Sequence, residues 1–223
     1  MVADPARPAP HQPRTPPRIA AVLLAAGRSS RMPDHKLLLP LGGRPIIAHS
    51  ASTALASHVR PIVVVIGRDA DNVRAALPAA DSADLSSVVN PEFASGLSTS
   101  LRTGLAAIPS DVLGAFILLG DQPFLTADHL NALAEVAVRS GERIVAAAYN
   151  GRRGNPVYFP RAYFTELIAV SGDAGGRAVI TRHADEVVLQ ELDDPIAGLD
   201  IDTVLDYARA QELWGERHPH PHP

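Results

Sequence analysis

Hydrophobic and polar residues alternate along this chain in blocks. Short uninterrupted apolar runs, Ile19 to Leu24, Ile62 to Ile66 and Phe116 to Leu119, have no polar face. That is the pattern of strands buried on both sides within a parallel sheet. Between them the spacing predicts helices over Pro45 to Ala56, near Asp71 to Leu77 and over about Leu97 to Ala107. A further helix runs through Val138, with Thr126 as its N-cap and Asp128 in its first turn. Leu85 to Val89 reads as a strand stopped by Asn90-Pro91, and Ile144 to Ala148 and Val157 to Phe159 as two more. The alternation predicts the α/β class: one three-layer α/β/α domain with a mostly parallel, Rossmann-like sheet covered by helices on both faces. Ligands of such sheets bind outside the carboxyl ends of the strands.

The pattern spans residues 19–214, which are expected to form a single domain. Residues 1–18 carry six prolines and three arginines and read as a disordered Pro-rich tail. Residues 215–223, closing on alternating His and Pro, read as a second tail. The first 18 residues have no apolar core of the kind a signal peptide needs, and no run approaches the length of a membrane span. A cytoplasmic protein is the expectation.

Composition narrows the chemistry. Hydrophobic residues make up 46% of the chain and aromatic ones only 4%, so the core is expected to be packed by Ala, Val, Leu and Ile. A net charge of −4 offers neither the basic surface of a nucleic-acid binder nor a broad cationic face for a membrane. Without cysteine there is no disulfide, no thiolate zinc site and no cysteine nucleophile.

The most informative stretch follows the first strand. Leu24, Ala25, Ala26, Gly27 and Arg28 lead into Arg31 and Lys36. Small residues let the backbone approach a ligand, successive amides form an anion-binding concavity, and arginine grips two phosphate oxygens at once. A solvated basic loop would explain any one of these arginines; the strand and glycine in front favour a polyphosphate. The glycine pattern is neither the dinucleotide fingerprint nor a Walker loop.

Four further segments are candidates. Gly120-Asp121-Gln122-Pro123 follows a strand directly, placing Asp121 where a carboxylate can hold Mg²⁺ beside a triphosphate; a plain turn is the alternative. In Asp200-Ile201-Asp202-Thr203 both carboxylates can face one side, and Asp202 can ligate metal, cap the next helix, or do both. Gly96, Ser98 and Ser100 open a helix with donors suited to ribose, a base edge or phosphate. Asn155, within Arg152-Arg153-Gly154-Asn155-Pro156, and Asp173 and Arg177, within Gly172 to Arg177, can line the pocket of an anionic second substrate or serve only as turns. The histidines show no close pair at ligand spacing.

Taken in order, Leu24 to Met32, Lys36 to Pro40, Gly96 to Arg102, Gly120 to Pro123, Gly154 to Val157, Gly172 to Arg177 and Asp200 to Thr203 resemble the MobA-like nucleotidyltransferases. The likeness is strongest to their molybdenum cofactor cytidylyltransferase branch, because Ala26 gives Leu-Ala-Ala-Gly where guanylyltransferases read Leu-Ala-Gly-Gly. The resemblance implies a nucleotide-diphospho-sugar-transferase-type sheet and transfer of CMP from CTP to the molybdopterin phosphate, releasing pyrophosphate. It implies Mg²⁺ as cofactor and a molybdenum hydroxylase as receiver of the product. It further implies that Gly27, Arg31 and Lys36 hold the triphosphate, and that Asp121 and Asp202 hold the metal. Pro33 departs from the family's Met-Gly and lacks an amide donor there. A guanylyltransferase, a sugar-phosphate nucleotidyltransferase and a cofactor-carrying chaperone are the alternatives.

Overall fold

The computed structural model describes residues 18–27, 32, 34–79 and 83–219. Its strands are β1 (Arg18–Ala25), β2 (Pro40–Leu41), β3 (Arg44–Pro45), β4 (Ile62–Ile66), β5 (Leu85–Val89), β6 (Val112–Leu119), β7 (Ile144–Tyr149), β8 (Arg152–Pro160) and β9 (Val187–Glu191). The helices are α1 (Ile46–Ala56), α2 (Ala70–Ala75), α3 (Leu97–Ala106), α4 (Ala127–Ser140), α5 (Phe164–Ala169), α6 (Arg177–Arg182) and α7 (Val204–Arg217).

One seven-stranded sheet runs in the order β5-β4-β1-β6-β8-β7-β9. β5, β4, β1 and β6 are mutually parallel, β8 is antiparallel to both its neighbours, and β7 pairs parallel with β9. β1 shows why this is a three-layer fold. Ile19, Ala21, Leu23 and Ala25 join the core beneath α1, α4 and α7, whereas Ala20, Val22 and Leu24 join the core beneath α3, α5 and α6. Successive side chains of a strand point to opposite faces, and here both faces are covered. Among the described residues no helix is long and apolar enough to cross a membrane.

The sheet departs from the sequence expectation at one side. β8 begins at Arg152, so the Arg152-to-Pro156 segment, expected as a loop, is strand. Asn150 (φ +52°) and Gly151 (φ +73°) both adopt the left-handed conformation between β7 and β8. An Asn-Gly pair flanked by strands is a strong hairpin signal and fixes these two strands as antiparallel. β9 was not expected at all: at the sheet edge Val187–Glu191 is only half-buried and lacks the continuous apolar run of the inner strands.

Candidate active site

The parallel half of the sheet brings the ends of β1 and β6 side by side. Past β6 the chain crosses close to β1, with the Gly120 N–H donating to the Leu24 carbonyl at 3.0 Å. A Cβ at residue 120 would stand 2.9 Å from Ile47 Cδ1 and 3.1 Å from the Leu24 carbonyl oxygen, so the crossing leaves little room for a side chain. The Ser50 hydroxyl on α1 donates to the Gly120 carbonyl at 3.0 Å, and the Ile201 N–H donates to the Asp121 carbonyl at 3.1 Å. Asp121 is thus fixed from both sides before its carboxylate does anything.

Lys36 opens a short 3₁₀ turn and reaches into this junction. Its ammonium donates to Asp121 Oδ2 at 2.5 Å and to Asp202 Oδ1 at 2.8 Å. The side chains of Lys36 and Asp121 are 11% and 15% exposed, and that of Asp202 37%. Burial is the largest influence on the Lys36 ammonium and pulls its pKa down. The two carboxylates outweigh it, and the net shift is upward.

Asp202 owes its orientation to its neighbours. Capping of α7 by Asp202 was one expectation; Thr203 is the cap instead. The Thr203 hydroxyl accepts from the Asp206 N–H at 3.2 Å, and the Asp206 carboxylate accepts from the amides of Asp202 and Thr203 at 3.2 and 2.8 Å. This reciprocal box satisfies the helix start and lets the Asp202 carboxylate turn to Lys36. Asp200 keeps a solvent-facing side, yet partial burial and the charges of Asp121 and Asp202 push its pKa up to about 6, against the opposing pull of Gln122 and Lys36.

Two adjoining cavities open here. The larger, about 570 Å³, has Ala26, Gly27, Lys36, Phe93, Ser100 and Asp121 in its wall, and Leu24 and Gly96 border it as well. The smaller, about 280 Å³, has Arg153, Asn155, Arg177 and Asp200 at its rim and Ile117, Val157, Phe159 and Ile180 as an apolar floor. Asp173 lines both cavities and its Oδ1 accepts the Leu97 N–H at 3.2 Å, so the boundary between them is hydrogen-bonded.

The structure therefore gathers Leu24, Ala26, Gly27, Lys36, Gly96, Ser100 and Asp121 around one space, and Asn155, Asp173 and Arg177 around the next. Ala25 is fully buried in the sheet core, and Ser98 is 2% exposed; neither lines a cavity. Arg28, Arg31 and Pro33 lie outside the described residues. Asn90, expected to stop its strand, has a structural role as well. At 1% exposure its amide donates to the Thr99 and Ser100 hydroxyls at 2.9 Å each, and its carbonyl oxygen accepts the Glu92 N–H at 3.0 Å. The surplus of hydroxyls at the start of α3 is thus partly structural, anchoring the turn that carries Phe93. Asn-Pro at the end of a parallel strand is the signal that pointed to it.

Among the described residues no group of three or more His, Cys, Asp or Glu side chains has a metal-holding arrangement. The carboxylate pair on Lys36 still fits a divalent ion of the Mg²⁺ type, which takes one or two protein carboxylates and completes its shell with water and phosphate oxygens. Two oxygens that already converge on an ammonium are placed to converge on such an ion.

A parallel sheet with a glycine following its first strand, and a lysine and carboxylates gathered beside the end of the neighbouring strand, is suited to binding phosphate groups at its carboxyl edge. The chain belongs to the MobA-like NTP transferase domain family, which matches residues 21–187. Nicotine blue oxidoreductase of Paenarthrobacter nicotinovorans is 33% identical over 199 residues, covering 84% of this chain and 94% of that protein. Purine catabolism protein PucB of Bacillus subtilis is 33% identical over 171 residues, covering 74% of this chain and 81% of that one. The crystal structure of Rv0371c from Mycobacterium tuberculosis superposes with a TM-score of 0.76 at 31% identity, covering 87% of this chain and 98% of that one. A manganese complex of Rv0371c gives a TM-score of 0.73 at 30% identity, over 89% of this chain and 100% of that one.

Proposed function

We propose that this protein transfers CMP from CTP to the terminal phosphate of molybdopterin, releasing pyrophosphate, with Mg²⁺ as its metal. The observation that carries the reading is the Lys36 bridge between Asp121 and Asp202, at the edge of a cavity that adjoins a second, arginine-rimmed one. Asp121 and Asp202 would hold the ion. When bound, Mg²⁺ would supply positive charge to the nucleotide phosphates. The Lys36 ammonium would meet the charge building on the departing pyrophosphate, with Arg31 expected beside it. Arg153 and Arg177 offer the acceptor phosphate a two-sided cationic rim, and Asn155 a polar contact.

A phosphate acceptor is already ionised near neutral pH, so this chemistry requires no general base from the chain, only positioning and charge. The preference for CTP rests on the Leu-Ala-Ala-Gly resemblance, with Ala26 in the wall of the larger cavity. A molybdenum hydroxylase as receiver of the product, and a cytoplasmic location, follow from the same reading.

Incubation with each NTP, Mg²⁺ and molybdopterin, with product masses read by mass spectrometry, tests it. The expected result is a CMP adduct formed from CTP, with pyrophosphate. A GMP adduct, or a nucleotide joined to a sugar phosphate instead, would replace the CTP–molybdopterin assignment; no adduct with any NTP would end the transferase reading. The oxidoreductase name of one relative supports a second reading, hydride transfer. The missing dinucleotide glycines argue against it, and absence of NAD(P)H oxidation in the same mixtures would dispose of it.

A further inference from the structure

Tyr149, at the end of β7, touches both halves of the site without lining either cavity. Its hydroxyl donates to the Asn155 carbonyl at 2.7 Å. Its ring lies against two glycines from distant parts of the chain. A Cβ at residue 154 would stand 2.8 Å from Tyr149 Cε2, and one at residue 198 would stand 2.5 Å from the same atom. Real Cβ atoms do not approach so closely, so the ring is wedged between two bare backbones.

One of those backbones is the β8 segment carrying Arg153 and Asn155 to the smaller cavity. The other leads directly into Asp200, Ile201 and Asp202. On its far side that acidic segment is stitched to the strand end of β6: Gln122 Nε2 donates to the Gly198 carbonyl at 3.4 Å, and the Ile201 N–H to the Asp121 carbonyl at 3.1 Å. The segment is therefore held by hydrogen bonds on one side and by an aromatic ring on the other. Burial first, then the charges of Asp200 and Asp194, raise the phenol's pKa, so it remains a donor at any physiological pH.

From this geometry we infer that Tyr149 is a positioning residue that sets the distance between the acceptor-binding strand and the acidic metal segment. It touches neither substrate and fixes where Asn155 and Asp202 stand relative to each other. The inference rests on the transferase reading for its kinetic consequences, but its structural content concerns the acidic segment alone and is readable with Mn²⁺ as probe.

The experiment compares wild type, Tyr149→Phe, Tyr149→Ala and Gly198→Ala. Each is first checked for folding by circular dichroism. Mn²⁺ affinity is then measured by electron paramagnetic resonance, and KM and kcat with CTP and molybdopterin. Tyr149→Phe keeps the wedge and loses one hydrogen bond. It is expected to hold Mn²⁺ affinity within about twofold while the KM for molybdopterin rises roughly 3- to 10-fold, the scale of one net hydrogen bond. Tyr149→Ala and Gly198→Ala disturb the wedge from opposite sides. Each is expected to weaken Mn²⁺ binding at least tenfold and to lower kcat, with the dissociation constant for CTP measured without metal unchanged.

Folded Tyr149→Ala and Gly198→Ala proteins with Mn²⁺ affinity within twofold of wild type would overturn the inference. Should Tyr149→Ala fail to fold, Gly198→Ala and the Phe variant decide by the same two readouts. If the wild type forms no adduct, the transferase reading fails separately and the Mn²⁺ comparison still settles the role of the wedge.

Discussion

Replacing Lys36 by methionine tests the centre of the site. The substitution keeps the buried stem and removes one ammonium held at 2.5 and 2.8 Å by two carboxylates. Removing one partner of a fully buried pair costs about 3–5 kcal/mol, because the remaining charge is stranded. Asp202 is 37% exposed, so solvent screens part of its charge and the expected cost falls to about 2–3 kcal/mol. For a chain of this length, each kcal/mol lowers Tm by about 2–4 °C, giving a drop of roughly 4–12 °C in chelator. A divalent cation should reverse this more than it helps the wild type, because it no longer competes with the ammonium for the same oxygens. At a hundredfold excess over its Kd, bound metal adds about 2.7 kcal/mol, enough to restore the melt. Turnover should not return with it, since the positive charge facing pyrophosphate is still missing. Thermal melts followed by circular dichroism in EDTA and in Mn²⁺, beside a pyrophosphate-release assay, read all three quantities. A variant that melts within 2 °C of wild type in chelator, or gains no more than wild type from Mn²⁺, would refute the idea that ammonium and metal share one pair of carboxylates.

Asp121→Asn should leave the fold intact and reduce pyrophosphate release on the order of 10³-fold, the loss of several kcal/mol of charge stabilisation; a wild-type rate would remove Asp121 from the mechanism. Asp200 has its folded pKa raised from 3.8 to about 6, so the folded state binds the extra proton between those values and stability falls as pH rises across that window. Asp200→Asn should therefore melt higher than wild type at pH 7 without metal and equally at pH 3; the reverse order would contradict the crowding of carboxylates. Ionisation of the same group should also make Mn²⁺ affinity climb through pH 6 in wild type and less so in the variant, which a titration at pH 5 and 7.5 would show. Asn90→Ala strands the buried polar groups it satisfies and is expected to cost about 2–3 kcal/mol while raising the KM for CTP through the loosened turn at Phe93; an unchanged KM would separate that turn from the nucleotide.

Much of this arrangement was written locally in the chain. Apart from Arg18 at the start of β1, these inner strands β1, β4 and β6 carry no polar side chain, because both faces are covered over most of their length; a polar residue following such a run stands at the ligand-binding edge. Asp121 was legible for that reason alone. Lys36 was legible as a cation near phosphate, but its contacts with Asp121 and Asp202 span 85 and 166 residues and no local pattern encodes them. β9 escaped because an edge strand has no need of an apolar run. The direction of β8 is encoded locally, in the Asn150-Gly151 pair that turns the chain back from β7. Tyr149 was illegible in principle: its role arises from the two side chains that Gly154 and Gly198 do not have, and nothing in the chain announces that these glycines meet the same ring.

The same geometry explains why like charges can be concentrated at this edge at all. Asp121, Asp200 and Asp202 repel one another, and a chain free to relax would separate them. Here the backbones that carry them are tied together before the carboxylates enter the balance, by the bond from Ile201 to the Asp121 carbonyl and by the Thr203–Asp206 box. Repulsion therefore adds to burial in raising the pKa of Asp200, and it appears as demand for a cation. Lys36 meets that demand internally. With Asp121 and Asp202 holding a divalent ion instead, the Lys36 side chain would be free to face the phosphates of a nucleotide, so the binding of the substrate complex and the arming of the cationic side chain would be one event.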